Sequence, residues 1–284
     1  MYANGHSVSP EQAEERGIGL AKAAGLNNAT AEQLRALSTE EILALENNYL
    51  LDGIITRDGE YVPTSIAEAF QEGRVNGERL GIGNVQNEGS FFAALTESAA
   101  GKPMDEVAYR DNLEALEKQY ALPGFADKVM QEYPASDYGS PAEAYAQVIT
   151  DSWFAAPIYR IADSLDNQIK VYYYEFSDPT CPKYVTTDFA QGTAHTYELP
   201  YLFPGFHGSS DLSTDLNKKQ QKVAKEMVKL WTGMSEVDRR GVWERFDSDR
   251  AQYLKLGQGK PQMMDMKDYK ERHHFDFWQN IRLY

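Results

Sequence analysis

The spacing of apolar residues switches between a helical and a strand-like period along the chain, and each switch marks an element. Ser9-Pro10-Glu11-Gln12 combines a capping serine, a proline at the first helical position and a glutamine that completes a capping box. It predicts a helix running to Gly25. Thr30-Ala31-Glu32-Gln33 and Ser38-Thr39-Glu40-Glu41 repeat the signal, so two more short helices are expected to carry Leu34, Leu37, Ile42 and Leu45. Leu51 to Pro63 holds the turn dipeptides Asp52-Gly53 and Asp58-Gly59 and reads as short β pieces joined by turns. Ser65-Ile66-Ala67-Glu68 caps a helix through Phe70 that stops at Gly73.

Beyond Gly73 the pattern alternates strands with longer helices. Arg79 to Val85 is short and mostly apolar, as a buried parallel strand is. Pro103 to Pro134 is helical, with Met104, Val107, Leu113, Leu116, Val129 and Met130 at helical spacing and an interruption at Pro123-Gly124. One further helix is expected from about Ala142 through Ile161, carrying Val148, Ile149, Trp153, Phe154 and Ile158. Ile169 to Phe176 is β-branched and aromatic throughout and predicts a strand. A loop of about 15 residues follows, with Pro179, Cys181 and Pro182; it exceeds the usual connection length and is a functional candidate. Leu212 to Trp231 reads as an amphipathic helix whose lysines (Lys218, Lys219, Lys222, Lys225, Lys229) form a solvated face. Trp243 to Asp249 is turn-rich, Tyr253 to Gly257 predicts a short edge strand, and Tyr269 to Ile281 a terminal helix. The class is α/β, with no internal repeat.

Composition narrows the function. A net charge of −15 opposes sequence-independent nucleic-acid binding and docking on anionic lipid. No apolar run approaches the roughly 18–20 residues of a membrane span. Cys181 is the only cysteine, which rules out an internal disulfide and fits a reducing compartment. Met1 to His6 has neither a basic nor an apolar leader region, so no signal peptide is visible and a cytoplasmic location is slightly favoured. No metal-ligand spacing is found: the aspartates around Gly53 and Gly59 lack the alternate ligands of a calcium loop, and His273-His274 are adjacent and cannot share a helix face. Gly81 and Gly83 do not complete a dinucleotide fingerprint, because the third glycine position is Gln86. No metal and no cofactor is implied.

Two residues stand where chemistry is assembled in open α/β sheets, beyond the carboxyl ends of strands. Glu88 follows the strand ending at Val85, and His195 lies in the loop after the strand ending at Phe176. Each alone is unremarkable. In chain order they are an acid then a base, the last two places of an α/β-hydrolase triad. The first place is empty, because no serine of this sequence sits in a G-x-S-x-G window.

Several motifs in order resemble the C-terminal half of the type-B carboxylesterases, the family of cholinesterases, carboxylesterases and para-nitrobenzyl esterases. Asp52-Gly53 through Val62-Pro63, with Phe70 to Gly73, resembles one conserved run of that family. Ile82 to Phe92 resembles the strand and n-x-D-E-G-x-F turn that carries its catalytic acid, with Asn87 in place of the usual Asp. Thr150-Asp151-Ser152-Trp153-Phe154 with Pro157 resembles its t-D-x-x-F-x-x-P helix, and Gly192 to Phe203 resembles its catalytic-histidine loop. His274 to Trp278 resembles the closing c-d-F-W helix, with Phe275 where Cys is common.

The resemblance implies the C-terminal portion of an α/β-hydrolase fold, an incomplete central sheet with flanking helices, and residues 1–284 as a single partial domain. It implies Glu88 as the acid that orients the imidazole, His195 as the general base, and Trp153 or Phe154 near the acyl pocket. Nucleophile and oxyanion loop lie, in that family, upstream of the region matched. The expectation is a serine-type carboxylic ester hydrolase fragment, inactive alone, whose strand before Glu88 leaves an open edge to a chain carrying the missing N-terminal half. Its substrate, once complemented, would be a small carboxylic ester, and any signal peptide would lie in the missing part. The competing reading is a non-catalytic, cholinesterase-like binding protein of the neuroligin kind, which has no need of both Glu88 and His195.

Overall fold

The computed structural model describes residues 7–49, 55–208 and 210–281. The Asp52-Gly53 turn, and with it the start of the first family-like run, lies outside them. The chain divides into two compact units, residues 1–74 and 75–284.

In the first unit, local signals decide the structure. Helices α1 (Pro10–Ala23), α2 (Ala31–Arg35) and α4 (Ile66–Gln71) each begin with a reciprocal capping box, Ser9/Gln12, Thr30/Gln33 and Ser65/Glu68. Each satisfies two backbone groups that a helix start otherwise leaves bare. Between them, α3 (Thr39–Tyr49) starts behind the same exchange between Ser38 and Glu41. The Asp58-Gly59 turn forms as expected, with Asp58 Oδ1 accepting from the amides of Glu60, Tyr61 and Val62. A two-residue parallel ladder joins β1 (Ser7–Val8) to β2 (Ile55–Thr56); the apolar pattern gave no sign of β1.

The second unit is built on a four-stranded sheet in the order β3 (Arg79–Val85), β4 (Lys170–Ser177), β5 (Gln252–Gly257), β6 (Gln262–Asp265). The first two pairings are parallel and the last antiparallel. β4 is rich in aromatic residues because both of its faces are covered. Tyr172, Tyr174 and Phe176 face one layer, in ring contact with Trp243, Trp231 and Tyr201. Tyr173 faces the other, against Tyr159, Phe246 and Tyr269. Helix α11 (Lys218–Thr232) buries Val223, Met227 and Leu230 on the first side, and its lysines are exposed as the charge pattern predicts. It begins six residues later than the pattern suggests, at an Asn217 cap.

Three expectations need correction. Tyr253 to Gly257 is not an edge strand: β5 lies between β4 and β6, and the true edge, β6, had too short and mixed a pattern to be seen. The helix from Ala142 is not continuous α-helix. It runs as α8 (Pro141–Ile149), a π-helical turn over Thr150–Ala155 and α9 (Ala156–Leu165), which restarts around Pro157. The closing helix breaks at His273-His274 into α13 (Met266–Arg272) and α14 (Phe275–Trp278), with His274 left-handed at φ 45°. The remaining helices are α5 (Gly89–Ala100), α6 (Glu106–Tyr120), α7 (Phe125–Glu132), α10 (Leu199–Leu202) and α12 (Val237–Arg240), of which α6 and α7 fill the helical stretch expected from Pro103 to Pro134. Of these, α5, α10 and α12 have no counterpart in the apolar pattern.

Candidate active site

Strands β3, β4 and β5 point the same way, so their carboxyl ends share one edge of the sheet. Glu88 stands at the junction of β3 and α5, and the loop leaving β4 returns His195 to the same edge. An isolated parallel bridge, Asn87 to Ala194, stitches the two segments together. Glu88 is 5% exposed. Its Oε1 accepts the Val85 amide at 2.9 Å and its Oε2 lies 2.6 Å from His195 Nδ1. The carboxylate thereby holds Nδ1 as the proton-bearing nitrogen and leaves Nε2 free to accept a proton. Burial pulls the His195 pKa down, but the hydrogen bond and charge of Glu88 outweigh it, and the ring is held above the ordinary value. At 31% side-chain exposure the imidazole is open to a reactant, unlike the carboxylate behind it.

An aromatic wall surrounds the ring. Phe92 and Phe154 stand 5.2 and 5.3 Å from the His195 ring centroid, and Phe91 stands 5.9 Å away. Trp153 is one layer out, edge-on to Phe92 at 5.3 Å, with its buried Nε1 unpartnered. The structure thus brings Glu88, His195 and Phe154 into contact and leaves Trp153 at second remove. The π turn explains the placement of the wall residues. Its extra residue rotates Trp153 and Phe154 off the fully buried face that Val148 and Ile149 occupy, so both remain partly exposed. Thr150 fixes that turn to the acid: its Oγ1 donates to the Ala146 carbonyl at 2.8 Å and accepts the Gly89 amide at 2.9 Å.

Three contributors escaped the sequence reading: Phe92, the Asn87 side chain, and Glu198, which comes three residues after His195. Cys181, in the long loop, is buried and its thiol is pushed up to about 12, first by burial and then by Asp178, so it is no nucleophile. His273 is fully buried between Asp151 and Glu175. Among the described residues no group of three His, Cys, Asp or Glu side chains is placed to share a metal ion, and no helix is long and apolar enough to cross a membrane.

This chain belongs to the carboxylesterase family, whose model matches residues 3–278. It is 27% identical to human (Homo sapiens) cocaine esterase over 239 residues, 78% of this chain and 41% of that protein. It is 25% identical to acylcarnitine hydrolase of Mus musculus, covering 81% of this chain and 42% of that one. Acetylcholinesterase of Bungarus fasciatus is 22% identical, with 88% and 45% covered. The chain therefore spans less than half the length of these curated relatives. The solved structure of PNB esterase superposes with a TM-score of 0.67 at 16% identity, over 95% of this chain and 55% of that one, and shares its α/β-hydrolase fold.

Proposed function

We propose that this chain carries the acid and the base of a serine carboxylic-ester hydrolase, and that the serine comes from a segment outside residues 1–284. The 2.6 Å contact between Glu88 and His195 carries the reading, because a buried carboxylate behind a half-open imidazole is the arrangement a general base needs. In the reaction His195 Nε2 takes the proton of the serine hydroxyl as the oxygen attacks the ester carbonyl. Glu88 stabilises the imidazolium, which then hands the proton to the leaving alkoxide. Phe154 and Phe92, with Trp153 behind them, form the apolar wall against which the substrate rests. Residues 1–284 are one partial domain of this enzyme. The side of β3 away from β4, which has no strand partner among the described residues, receives the nucleophile-bearing half.

The chain alone is then inactive, and a 4-nitrophenyl ester assay tests this. Hydrolysis is expected only when a polypeptide bearing the family's G-x-S-x-G segment is added, and is expected to vanish on His195→Ala. Turnover by residues 1–284 alone that depends on His195 would overturn the reading. The absence of a G-x-S-x-G serine from this sequence favours a second reading, a non-catalytic binding protein of the cholinesterase type. A complemented pair that associates and never hydrolyses an ester would select it.

A further inference from the structure

The loop that presents His195 carries a second carboxyl that the roles above leave unused. Glu198 is the residue before α10, and its carbonyl accepts the Tyr201 amide at 3.0 Å. Tyr197 bonds back to Ala194 and Leu199 to Thr196, each at 3.0 Å, so residues 194–201 wind tightly, with Thr196 left-handed at φ 70°. Glu198 thus lies three residues from His195 on one tight turn, within reach of the charges of Glu88 and His195. Its Oε2 is buried and takes no hydrogen bond. Glu88, by contrast, has both oxygens engaged.

The ionisable groups facing Glu198 come from several elements: Glu88 from the end of β3, Tyr174 from β4, Cys181 and Tyr184 from the long loop, and His195 from its own segment. Of these groups only His195, once protonated, offers it a positive charge. An ionised carboxyl with a bare buried oxygen is costly, and a second carboxylate beside Glu88 more so. Burial and the Glu88 charge accordingly push the Glu198 carboxyl up to about 7, with its own backbone amide and His195 pulling the other way. Protons on such neighbours are shared by the group rather than owned by one member.

Building on the reading of Glu88 and His195 as acid and base, we propose that Glu198 is a positioning residue that sets the basicity of His195. It holds a proton while the imidazole is neutral. As the imidazole takes a proton from the nucleophile, Glu198 releases its own to solvent, so the imidazolium faces two carboxylates instead of one.

The test is an NMR titration of the 284-residue chain, following the His195 ring and the Glu198 side-chain carboxyl carbon. The carboxyl carbon is expected to titrate near neutrality, with an inflection in the His195 curve at the same pH. In Glu198→Gln the His195 curve is expected to lose that inflection, whereas in Glu88→Gln its main midpoint falls. A Glu198 carboxyl already ionised below about pH 5, or a His195 curve that Glu198→Gln leaves unchanged, overturns the proposal and leaves the acid–base pair standing. A His195 midpoint that Glu88→Gln does not move overturns the pair and the proposal with it. The wild-type titration alone decides if Glu198→Gln fails to fold.

Discussion

The Asn87 side chain occupies the space in which Gly192 would carry a Cβ: an atom built there would lie 2.1 Å from Asn87 Oδ1. The same oxygen accepts the Thr193 amide at 3.0 Å, and the Asn87 amide donates to the Thr193 carbonyl at 2.9 Å. The acid-bearing turn and the base-bearing loop are thus locked together one residue from Glu88 and two from His195. Gly192 also sits at φ 58°, where other residues are strained.

Gly192→Ala is therefore expected to destabilise the chain by at least about 2 kcal/mol, from the left-handed backbone and the displaced amide together. It should also weaken the low-field proton signal of His195 Nδ1. Asn87→Asp, the residue usual in the family, keeps the acceptor and is expected to cost under about 1 kcal/mol. Asn87→Leu strands the buried Thr193 amide, at about 1–3 kcal/mol. Urea denaturation orders the three variants, and equal costs for Asp and Leu would mean that the Oδ1 bond holds nothing.

A second tether runs through Thr150. Gly89 approaches helix α8 so closely that a Cβ on it would lie 1.9 Å from the Ala146 carbonyl oxygen, and its amide is satisfied by Thr150 Oγ1. Thr150→Val keeps the shape and removes the acceptor, leaving a buried N–H bare at about 1–3 kcal/mol. Thr150→Ser should restore most of the loss. Hydrogen exchange at the Gly89 amide, accelerated in the valine variant only, is the direct check.

What could be read from the sequence divides along the range of the interactions. The caps at Ser9, Thr30 and Ser65 act over three residues, and all three helices start where they predict. The strands ending at Val85 and Phe176 were legible because both are short and mostly apolar, and in the second burial on both faces favours aromatic residues. The placing of Glu88 and His195 followed from the rule for sheet edges, and the structure brings them into contact. The inner position of β5 was hidden, since it depends on β6, a four-residue strand that turns back after Gly259-Lys260-Pro261. No glycine or proline lies within the π turn over Thr150–Ala155, so no chain breaker announces it. Glu198 and Phe92 become neighbours of His195 only through loop geometry, which no local pattern records.

The aromatic wall makes a prediction about acyl preference. If Phe154 lines the acyl pocket of the complemented enzyme, Phe154→Ala opens space beside His195. The ratio of kcat/KM for butyryl over acetyl 4-nitrophenyl esters is then expected to rise about tenfold, the discrimination that one or two methylenes carry in an apolar pocket. Trp153→Ala, one layer back, should move the ratio less. A ratio indifferent to Phe154→Ala would remove that ring from the pocket and leave it as packing for the imidazole.

His273 makes the stability of the chain depend on pH in a direction that can be worked out. Its Nδ1 lies 2.5 Å from Asp151 and its Nε2 3.3 Å from Glu175, while Arg272 forks onto Glu175 with two bonds of 3.0 Å. Tyr133 and Gln147 complete the shell of Asp151, each at 2.8 Å. Burial pulls the His273 pKa down, but Asp151 and Glu175 outweigh it, so the folded chain holds this proton more tightly than the unfolded one. The stabilisation is then complete below the unfolded value of about 6.5 and is lost as pH rises through the folded value. Glu175 works in the opposite window: burial pushes its carboxyl up, His273 and Arg272 more than reverse this, and its contribution fades as pH falls below the ordinary carboxylate range. Replacing His273 with Gln removes a charge that two buried carboxylates need, at a cost of roughly 3–5 kcal/mol near pH 6. Because His195 titrates in the same direction, the difference between the two chains isolates His273. That difference, from urea denaturation at pH 6 and again at pH 9, is expected to shrink at the higher pH; a constant difference would show that His273 keeps one charge state throughout.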